Sequence, residues 1–173
     1  MINLEYHSAD ITFLNITKKD LPIVLDWYNN ITDNMYGTGI DKPLTLNDLG
    51  KKYLETAISS YDFFLWIVNK NNEKIGIMKG SVKYQENDSI WINSLIIDIS
   101  HRKKGYGKGA IEALTQYIGK HFKLSKVYVS VVEDNKDGIA FWNRIGFFPI
   151  KRMEKHILLG DLLRDVVIMY KPL

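Results

Sequence analysis

Residues 98–110 read DISHRKKGYGKGA, and this stretch is the most informative part of the sequence because it leaves a predicted strand and opens a predicted helix. Glycines let a backbone approach a ligand closely, and the free N–H groups and dipole of a first helical turn form an anion site. Four basic side chains add positive charge around this turn: Arg102, Lys103, Lys104 and Lys108. The stretch therefore predicts either a phosphate-binding turn or a tight strand-to-helix connection with solvated lysines.

Two common classes of phosphate-binding loop do not fit this spacing. A Walker loop requires Ser or Thr after its Gly-Lys pair, whereas Lys108 is followed by Gly109. A dinucleotide fingerprint that starts at Gly105 and Gly107 requires a third glycine at position 110, where the chain has Ala110. The function of the turn therefore depends on the elements around it.

Hydrophobic periodicity places secondary structure on both sides of the turn. Alternating or continuous apolar runs predict strands at residues 10–16, 63–68, 74–85, 90–99, 127–132, 147–158 and 162–170. Apolar residues at helical spacing predict helices at residues 21–30, 46–58, 110–118 and 135–145. Thr17 with Asp20, and Thr45 with Asp48, have the spacing of capping boxes before the first two helices.

The order of these elements predicts the architecture. Residues 31–44 contain glycines and a proline and predict an irregular polar loop. Polar turns at 69–74 and 86–89 join three strands into an antiparallel meander. The strand–helix–strand order through residues 90–132 implies a parallel crossover inside an otherwise antiparallel sheet. We therefore expect a mixed α/β or α+β fold in one domain that spans residues 1–173.

Composition excludes several classes of protein. Of the 173 residues, 46% are hydrophobic and 25% are charged, close to the globular averages of about 45–50% and about 25%. The chain has no cysteine, which excludes disulfides and iron–sulfur clusters and favours the cytoplasm. A net charge of +3 is too small to indicate a nucleic-acid partner. We expect no metal, because the four histidines are scattered, and no membrane span.

Two motifs resemble those of the GNAT superfamily of acyl-CoA-dependent N-acetyltransferases. The first, Arg102-x-x-Gly105-x-Gly107 after a strand, looks like the superfamily's pyrophosphate-binding motif. The second is similar to the helix after the superfamily's fifth strand, and comprises Asn135, Gly138, Ile139, Phe141, Trp142, Arg144, Gly146 and Phe147. The resemblance covers residues 10–171 in element order and is most specific over residues 90–148.

The resemblance implies a GNAT-like domain with a mostly antiparallel mixed sheet and about four flanking helices. Its parallel strands would separate into a V-shaped cleft that holds pantetheine, paired with backbone groups near Leu95, Ile96 and Ile97. The pyrophosphate would rest on the glycine-rich turn. The cofactor contacts implied there are Arg102, Lys103, Lys104, Gly105, Tyr106, Gly107, Lys108 and Gly109.

Three residues of the last helix also have implied roles. Asn135 would hydrogen-bond the pantetheine arm, or cap the helix instead or in addition. Arg144, or a lysine of the turn, would approach the 3′-phosphate of the cofactor. Trp142 stands where the family commonly has a tyrosine that protonates the leaving thiolate. An indole N–H donates a hydrogen bond but releases no proton at working pH, so Trp142 is a catalytic and cofactor-contact candidate with core packing as the alternative.

The implied reaction is direct attack of a primary amine on the thioester of acetyl-CoA, the cosubstrate. Asn93 and Ser94 occupy the middle of the strand where the family often has a basic carboxylate. Either side chain could orient the amine or a water, or simply bond its neighbours. Acceptor contacts are implied at Tyr28, Asp33 and Tyr36. The acceptor stays open between a small-molecule amine, such as a polyamine or an aminoglycoside, and a protein N-terminus.

The sequence leaves one alternative to an enzyme. A degenerate family member would bind acyl-CoA without catalysis, and Trp142 together with the missing carboxylate favours that hypothesis. A nucleic-acid-binding protein is disfavoured by the mild charge. We expect acetyl-CoA and an amine as partners, neither nucleic acid nor membrane, and a monomer or homodimer.

Overall fold

The computed structural model describes residues 1–84 and 88–173. Eight strands lie in these residues: β1 (Tyr6–His7), β2 (Ile11–Asn15), β3 (Asp62–Asn69), β4 (Lys74–Lys83), β5 (Ser89–Ile97), β6 (Lys126–Val132), β7 (Phe148–Leu159) and β8 (Leu162–Pro172). Five helices of eight residues or more accompany them: α1 (Leu21–Asn29), α2 (Ile31–Thr38), α3 (Leu46–Ile58), α4 (Tyr106–His121) and α5 (Lys136–Arg144). The first two residues of the turn predicted at 86–89, and the last residue of the strand predicted at 74–85, lie outside the described residues.

The strands form one sheet in the order β1-β2-β3-β4-β5-β6-β8-β7. Among the described residues, β5 and β6 are parallel and the other neighbouring strands are antiparallel. Helix α4 connects β5 to β6, which confirms the crossover predicted from the chain order. The meander of β3, β4 and β5 is also confirmed, and with it the mixed α+β fold.

The parallel strands are paired over only part of their length. In the described chain, the pairing of β5 with β6 ends at Ile92 opposite Val129, although β5 continues to Ile97 and β6 to Val132. Beyond this point β5 stays paired with β4, and β6 stays paired with β8. Each strand therefore follows its outer neighbour, and the two separate into the V-shaped cleft that the resemblance implies.

Helices cover both faces of the sheet. Successive side chains of a strand point to opposite faces. In β3, Leu65 packs in a core with residues of α4, whereas Trp66 packs in a second core with residues of α1 and α3. The glycine-rich turn thus opens the helix of one face, and α1 and α3 lie on the other. Among the described helices, none has the length and apolar character needed to cross a bilayer.

The irregular loop predicted for residues 31–44 is wrong in its first half, which forms α2 and raises the number of helices from four to five. The glycines of this segment had indicated a loop. A Cβ on Gly37 would lie 2.6 Å from Ile96 Cγ2, so this glycine lets α2 approach β5 closely. Gly39, at φ 71°, ends the helix in the left-handed conformation that glycine adopts without strain. Both glycines therefore serve a packed helix.

Two glycine-to-alanine substitutions should have opposite effects on stability. A Cβ on Gly80 would clash with the Trp91 carbonyl oxygen and the Phe63 ring, so Gly80→Ala should lower the free energy of unfolding by about 1–3 kcal/mol. Gly50 lies in α3 with open space around it, so Gly50→Ala should raise that free energy by about 0.5–1 kcal/mol. Urea titration monitored by circular dichroism measures both. Equal effects of the two substitutions would contradict the close approach at Gly80.

Candidate functional site

The glycine-rich turn ends in an open helix N-terminus. Gly105 is the N-cap of α4 at φ 88°, and Lys103 has φ 59°, so two residues of the turn are left-handed. The first helical hydrogen bond runs from Gly109 N–H to the Gly105 carbonyl at 2.9 Å. The N–H groups of the first turn before Gly109 have no partner inside the helix, as at any helix start. Together with the dipole they form a site suited to an anion.

Three lysines surround this N-terminus with exposed side chains. Lys103 and Lys104 lie in the turn itself, and Lys108 lies one helical turn later. The Lys108 ammonium is 3.6 Å from the Glu112 carboxylate, an exposed pair that leaves most of its field in solvent. The lysines therefore supply positive potential where the first-turn donors are open.

Arg102 is engaged differently from the lysines. Its Nε donates to the Ile97 carbonyl at 2.8 Å. Its Nη2 donates to Asn34 Oδ1 at 2.7 Å and to the Asp33 carbonyl at 3.0 Å. The guanidinium therefore joins the end of β5 to α2, a contact that no sequence motif indicates.

The edge of β5 offers backbone groups to the cleft. The Asp98 N–H donates to the Ile75 carbonyl in β4, and backbone groups of successive strand residues point to alternate edges. The backbone groups of Leu95 and Ile97 therefore face the cleft, whereas those of Ile96 face β4. Of the three residues expected to pair with pantetheine, two are thus oriented for it, and the Ile97 carbonyl already accepts from Arg102.

Helix α5 borders the cleft beside α4. A Cβ on Gly107 would lie 3.2 Å from the Phe141 ring, so the start of α4 packs closely on α5. Trp142 is buried, with ring centroids 5.0 Å from Phe141 and 4.8 Å from Phe147 in edge-on contacts. Trp142 thus packs among aromatic rings of the core. Core packing was the alternative to a catalytic role for this residue in the sequence analysis. Arg144 is exposed in the last turn of α5.

Asn135 caps α5. Its Oδ1 accepts from the Gly138 N–H at 2.9 Å, which satisfies one of the open donors of the helix start. The cap expected from the sequence is therefore present. A contact of the Asn135 amide with a cofactor stays a prediction.

A β-bulge lies in the middle of β5, at the first of its two adjacent polar residues. Ser94 lies opposite Lys79, and Ile92 lies opposite Gly80, so Asn93 is the extra residue between them. Asn93 is exposed, whereas Ser94 is buried and its Oγ donates to the Gly37 carbonyl at 2.7 Å. The side chain of Asn93 is thus open to a ligand, and that of Ser94 anchors α2.

The three residues expected to contact an acceptor lie on α1 and α2. Tyr28 is buried near the Ser94 hydroxyl, and burial raises the pKa of its phenol well above the ordinary value. It stays protonated at neutral pH and acts only through hydrogen bonds. Asp33 accepts from Asn30 Nδ2 at 2.8 Å, and the Tyr36 ring is 41% exposed. Asp33 and Tyr36 lie on α2, which borders the face of β5 opposite α4.

Two further features lie on this face. The rings of Trp91 and Tyr128 are stacked, with centroids 5.0 Å apart, in a concavity of about 250 Å³. The chain after α2 contacts the β7–β8 hairpin, since the Gly160 N–H donates to Asp41 Oδ2 at 2.8 Å and Lys42 lies 2.8 Å from Asp161. The individual contacts between these distant segments have no local signal in the sequence.

Asn135 offers a matched pair of variants for the cap. Asn135→Ala should lower the free energy of unfolding by about 1 kcal/mol, because the Gly138 N–H loses its acceptor. Asn135→Asp keeps an acceptor oxygen at a helix N-terminus, so its stability should match the wild type or slightly exceed it. Urea unfolding of the three proteins tests this. A loss in the aspartate variant as large as in the alanine variant would exclude the cap as the cause.

Comparisons with known proteins agree on one family. A sequence model described as the acetyltransferase (GNAT) family matches residues 25–147. The chain is 32% identical over 62 residues to the spermine/spermidine N(1)-acetyltransferase of Bacillus subtilis, a stretch of 36% of this chain and only 41% of that relative. It is 22% identical over 147 residues to the aminoglycoside N(6′)-acetyltransferase type 1 of Klebsiella pneumoniae, covering 79% of this chain and 73% of that relative.

The fold also matches that of solved acetyltransferases. The spermidine N-acetyltransferase of Vibrio cholerae, solved with CoA and spermine, aligns with a TM-score of 0.80 at 18% identity over 95% of this chain and 96% of that chain. Such low identity shows a shared fold alone. Because the family match extends over more than half of the sequence, and the cleft and the glycine-rich turn have the expected arrangement, the chain belongs to the acetyltransferase (GNAT) family.

Proposed function

We propose that the protein transfers the acetyl group of acetyl-CoA to a primary amine. The observation that carries this proposal is the junction of the β5–β6 cleft with the open N-terminus of α4. The cleft offers backbone groups of Leu95 and Ile97 to an extended chain, and the turn offers N–H donors and lysines to phosphates. An acyl pantetheine joined to a pyrophosphate has these two parts in this order.

The amine approaches from the α2 face in this proposal. The cofactor lies between β5 and β6, beside α4 and α5, so the thioester reaches the cleft near the bulge. Asn93 exposes an amide at that point, and its oxygen can orient an amine N–H. The aromatic rings of Trp91 and Tyr36 are the apolar contacts for the acceptor on this face.

The chemistry is addition followed by elimination. The neutral amine nitrogen forms a bond to the carbonyl carbon, the C–S bond breaks, and CoA leaves as a thiolate while the amine proton passes to water. Trp142 is packed in the core and releases no proton, and Asn93 and Ser94 are not bases. Rate acceleration therefore comes from holding the two substrates in line rather than from a strong acid or base.

The acceptor we propose is a primary amine of a polyamine or an aminoglycoside. The names of two relatives, a spermine/spermidine acetyltransferase and an aminoglycoside acetyltransferase, support this class. A protein N-terminus is the third candidate for the screen. A cytoplasmic location and a monomeric or homodimeric state stay predictions.

The second candidate function is acyl-CoA binding without catalysis. The burial of Trp142 among aromatic rings and the amide of Asn93 in the bulge favour it, because neither supplies a proton-transfer group. Release of free CoA thiol in the presence of an amine separates the two functions. Binding without release by any amine of the screen would favour the binding module.

Cofactor binding should depend on the charges of the turn. Acetyl-CoA at 100 times its dissociation constant should stabilise the protein by about 2.7 kcal/mol in a thermal unfolding assay, and ATP at the same concentration should not. The double variant Lys103→Glu, Lys104→Glu should weaken acetyl-CoA binding about tenfold or more. The control, Lys18→Glu with Lys19→Glu, makes the same charge change at exposed lysines before α1 and should alter it less than twofold. Equal losses of acetyl-CoA affinity in the two double variants would show that the turn is not part of the cofactor site.

The pH profile should report the acceptor rather than an enzymic base. Because the central residues of β5 carry no carboxylate, kcat/KM should rise from about pH 6 to about pH 9 as the amine loses its proton. Stopped assays of thiol release with a polyamine measure the profile. A plateau that begins near pH 7 and persists with amines of different pKa would instead indicate a general base on the protein.

A further inference from the structure

The end of β5 is tied to α2 through a single guanidinium. Arg102 donates to the Ile97 carbonyl in β5, to the Asp33 carbonyl and to Asn34 Oδ1 in α2, at 2.8, 3.0 and 2.7 Å. These are three directional bonds from a planar group with a fixed arrangement of donors. A lysine ammonium is a point charge on a flexible stem and does not reproduce this geometry.

Asn34 extends this connection to α1. The side chain is 7% exposed, and its Nδ2 donates to the Trp27 carbonyl at 2.9 Å. Its two polar ends are therefore both used, one toward α1 and one toward Arg102. Removal of the guanidinium leaves a buried amide oxygen without its donor, which is costly in a protein interior.

Helix α2 depends on such attachments. It has eight residues, and isolated helices below about 12–15 residues are marginal in water. Its second point of attachment to β5 lies one turn after Asn34, where Ser94 Oγ donates to the Gly37 carbonyl at 2.7 Å. Arg102 thus holds the first turn of α2 and Ser94 holds its last.

The position of α2 matters for one side of the cleft only. Asp33 and Tyr36 lie on α2, on the face of β5 opposite the helix α4 that opens with the glycine-rich turn. A shift of α2 would move these groups. It would also move the segment after α2, which contacts the β7–β8 hairpin. It would leave the first-turn N–H groups of α4 and the lysines around them in place.

We propose that Arg102 is a positioning residue that aligns α2 with the end of β5 and so sets the acceptor side of the site, rather than a ligand of the cofactor phosphates. The proposal rests on the function proposed above. The strand end that leads into the cofactor turn then also fixes the helix that borders the acceptor, and a single side chain connects the two.

Arg102→Lys keeps the charge of the turn and removes the fixed geometry of the guanidinium. We expect the Kd for acetyl-CoA to change less than threefold and the KM for the amine to rise about tenfold or more. Lys103→Ala, in the same turn, should show the reverse pattern, with weaker acetyl-CoA binding and little change in amine KM. Titration calorimetry with acetyl-CoA and steady-state kinetics in the amine measure these quantities.

Asn34→Ala approaches the same contact from the other side. It should reproduce part of the rise in amine KM, and the double variant should show less than the product of the two single effects, because both substitutions remove the bond between Arg102 and Asn34. If the effects instead multiply, Arg102 and Asn34 act independently and the proposal fails. A loss of acetyl-CoA affinity in Arg102→Lys as large as in Lys103→Ala would place Arg102 among the phosphate ligands and also overturn it.

Hydrogen exchange separates this proposal from the proposed function. The amides of α2 should exchange faster in Arg102→Lys than in the wild type, while those of α4 should not, and this readout needs no substrate. Unchanged exchange in α2 overturns the positioning role even if the wild type proves active. A wild type that neither binds acetyl-CoA nor releases thiol would refute the proposed enzymatic activity. Faster exchange of the α2 amides in Arg102→Lys would still support the anchoring of α2 by Arg102.

Discussion

The structure depends on the point where β5 and β6 stop pairing. Backbone N–H and C=O groups of a buried strand need partners, so two adjacent strands that separate leave polar edges that something else must satisfy. Here the separation begins after Ile92 opposite Val129, and the bulge at Asn93 accompanies it on the β4 side of β5. A bulge bends its strand and increases the local twist, which turns the end of β5 away from β6. The cleft is therefore built into the register of the sheet.

The positions of the helices follow from this opening. A parallel crossover must leave β5 at its carboxyl end, so the N-terminus of α4 lies at the wide end of the cleft. Gly105 and Gly107 make that start possible, the first by its left-handed φ of 88° and the second by the close contact with Phe141 of α5. The donors of a helix start and the unpaired edge of a strand thus lie side by side, and a ligand with a phosphate end and an amide-containing chain satisfies both.

The sequence predicted those parts whose signals are local. The glycine-rich turn, the capping boxes and the order of strands and helices are each encoded in a short window, and they suffice for the crossover and the meander. Helix α2 was not predicted, because glycines in this segment are typical of a loop. Gly37 is instead required by a close contact with Ile96, 59 positions further along the chain. Arg102 was interpreted from its charge and from its place in the glycine-rich motif. The direction of its side chain is set by Asn34, a residue that no motif connects to it.

The same limit applies to the chemistry of the site. Trp142 and Asn93 were recognised as departures from the family pattern, but only packing distinguishes an indole in an aromatic core from one beside a reacting sulfur. In the proposed function Trp142 stays packed beside Phe141 and Phe147, so the alignment of the two substrates is the main source of rate acceleration, and that alignment depends on the elements that flank the cleft. In the proposed function α4 binds the cofactor and α2 borders the acceptor, so the end of β5, which connects to both helices, contributes more to the rate than any single acid or base. The guanidinium of Arg102 lies at that junction, where its donors extend from the glycine-rich turn to a helix on the opposite face of β5.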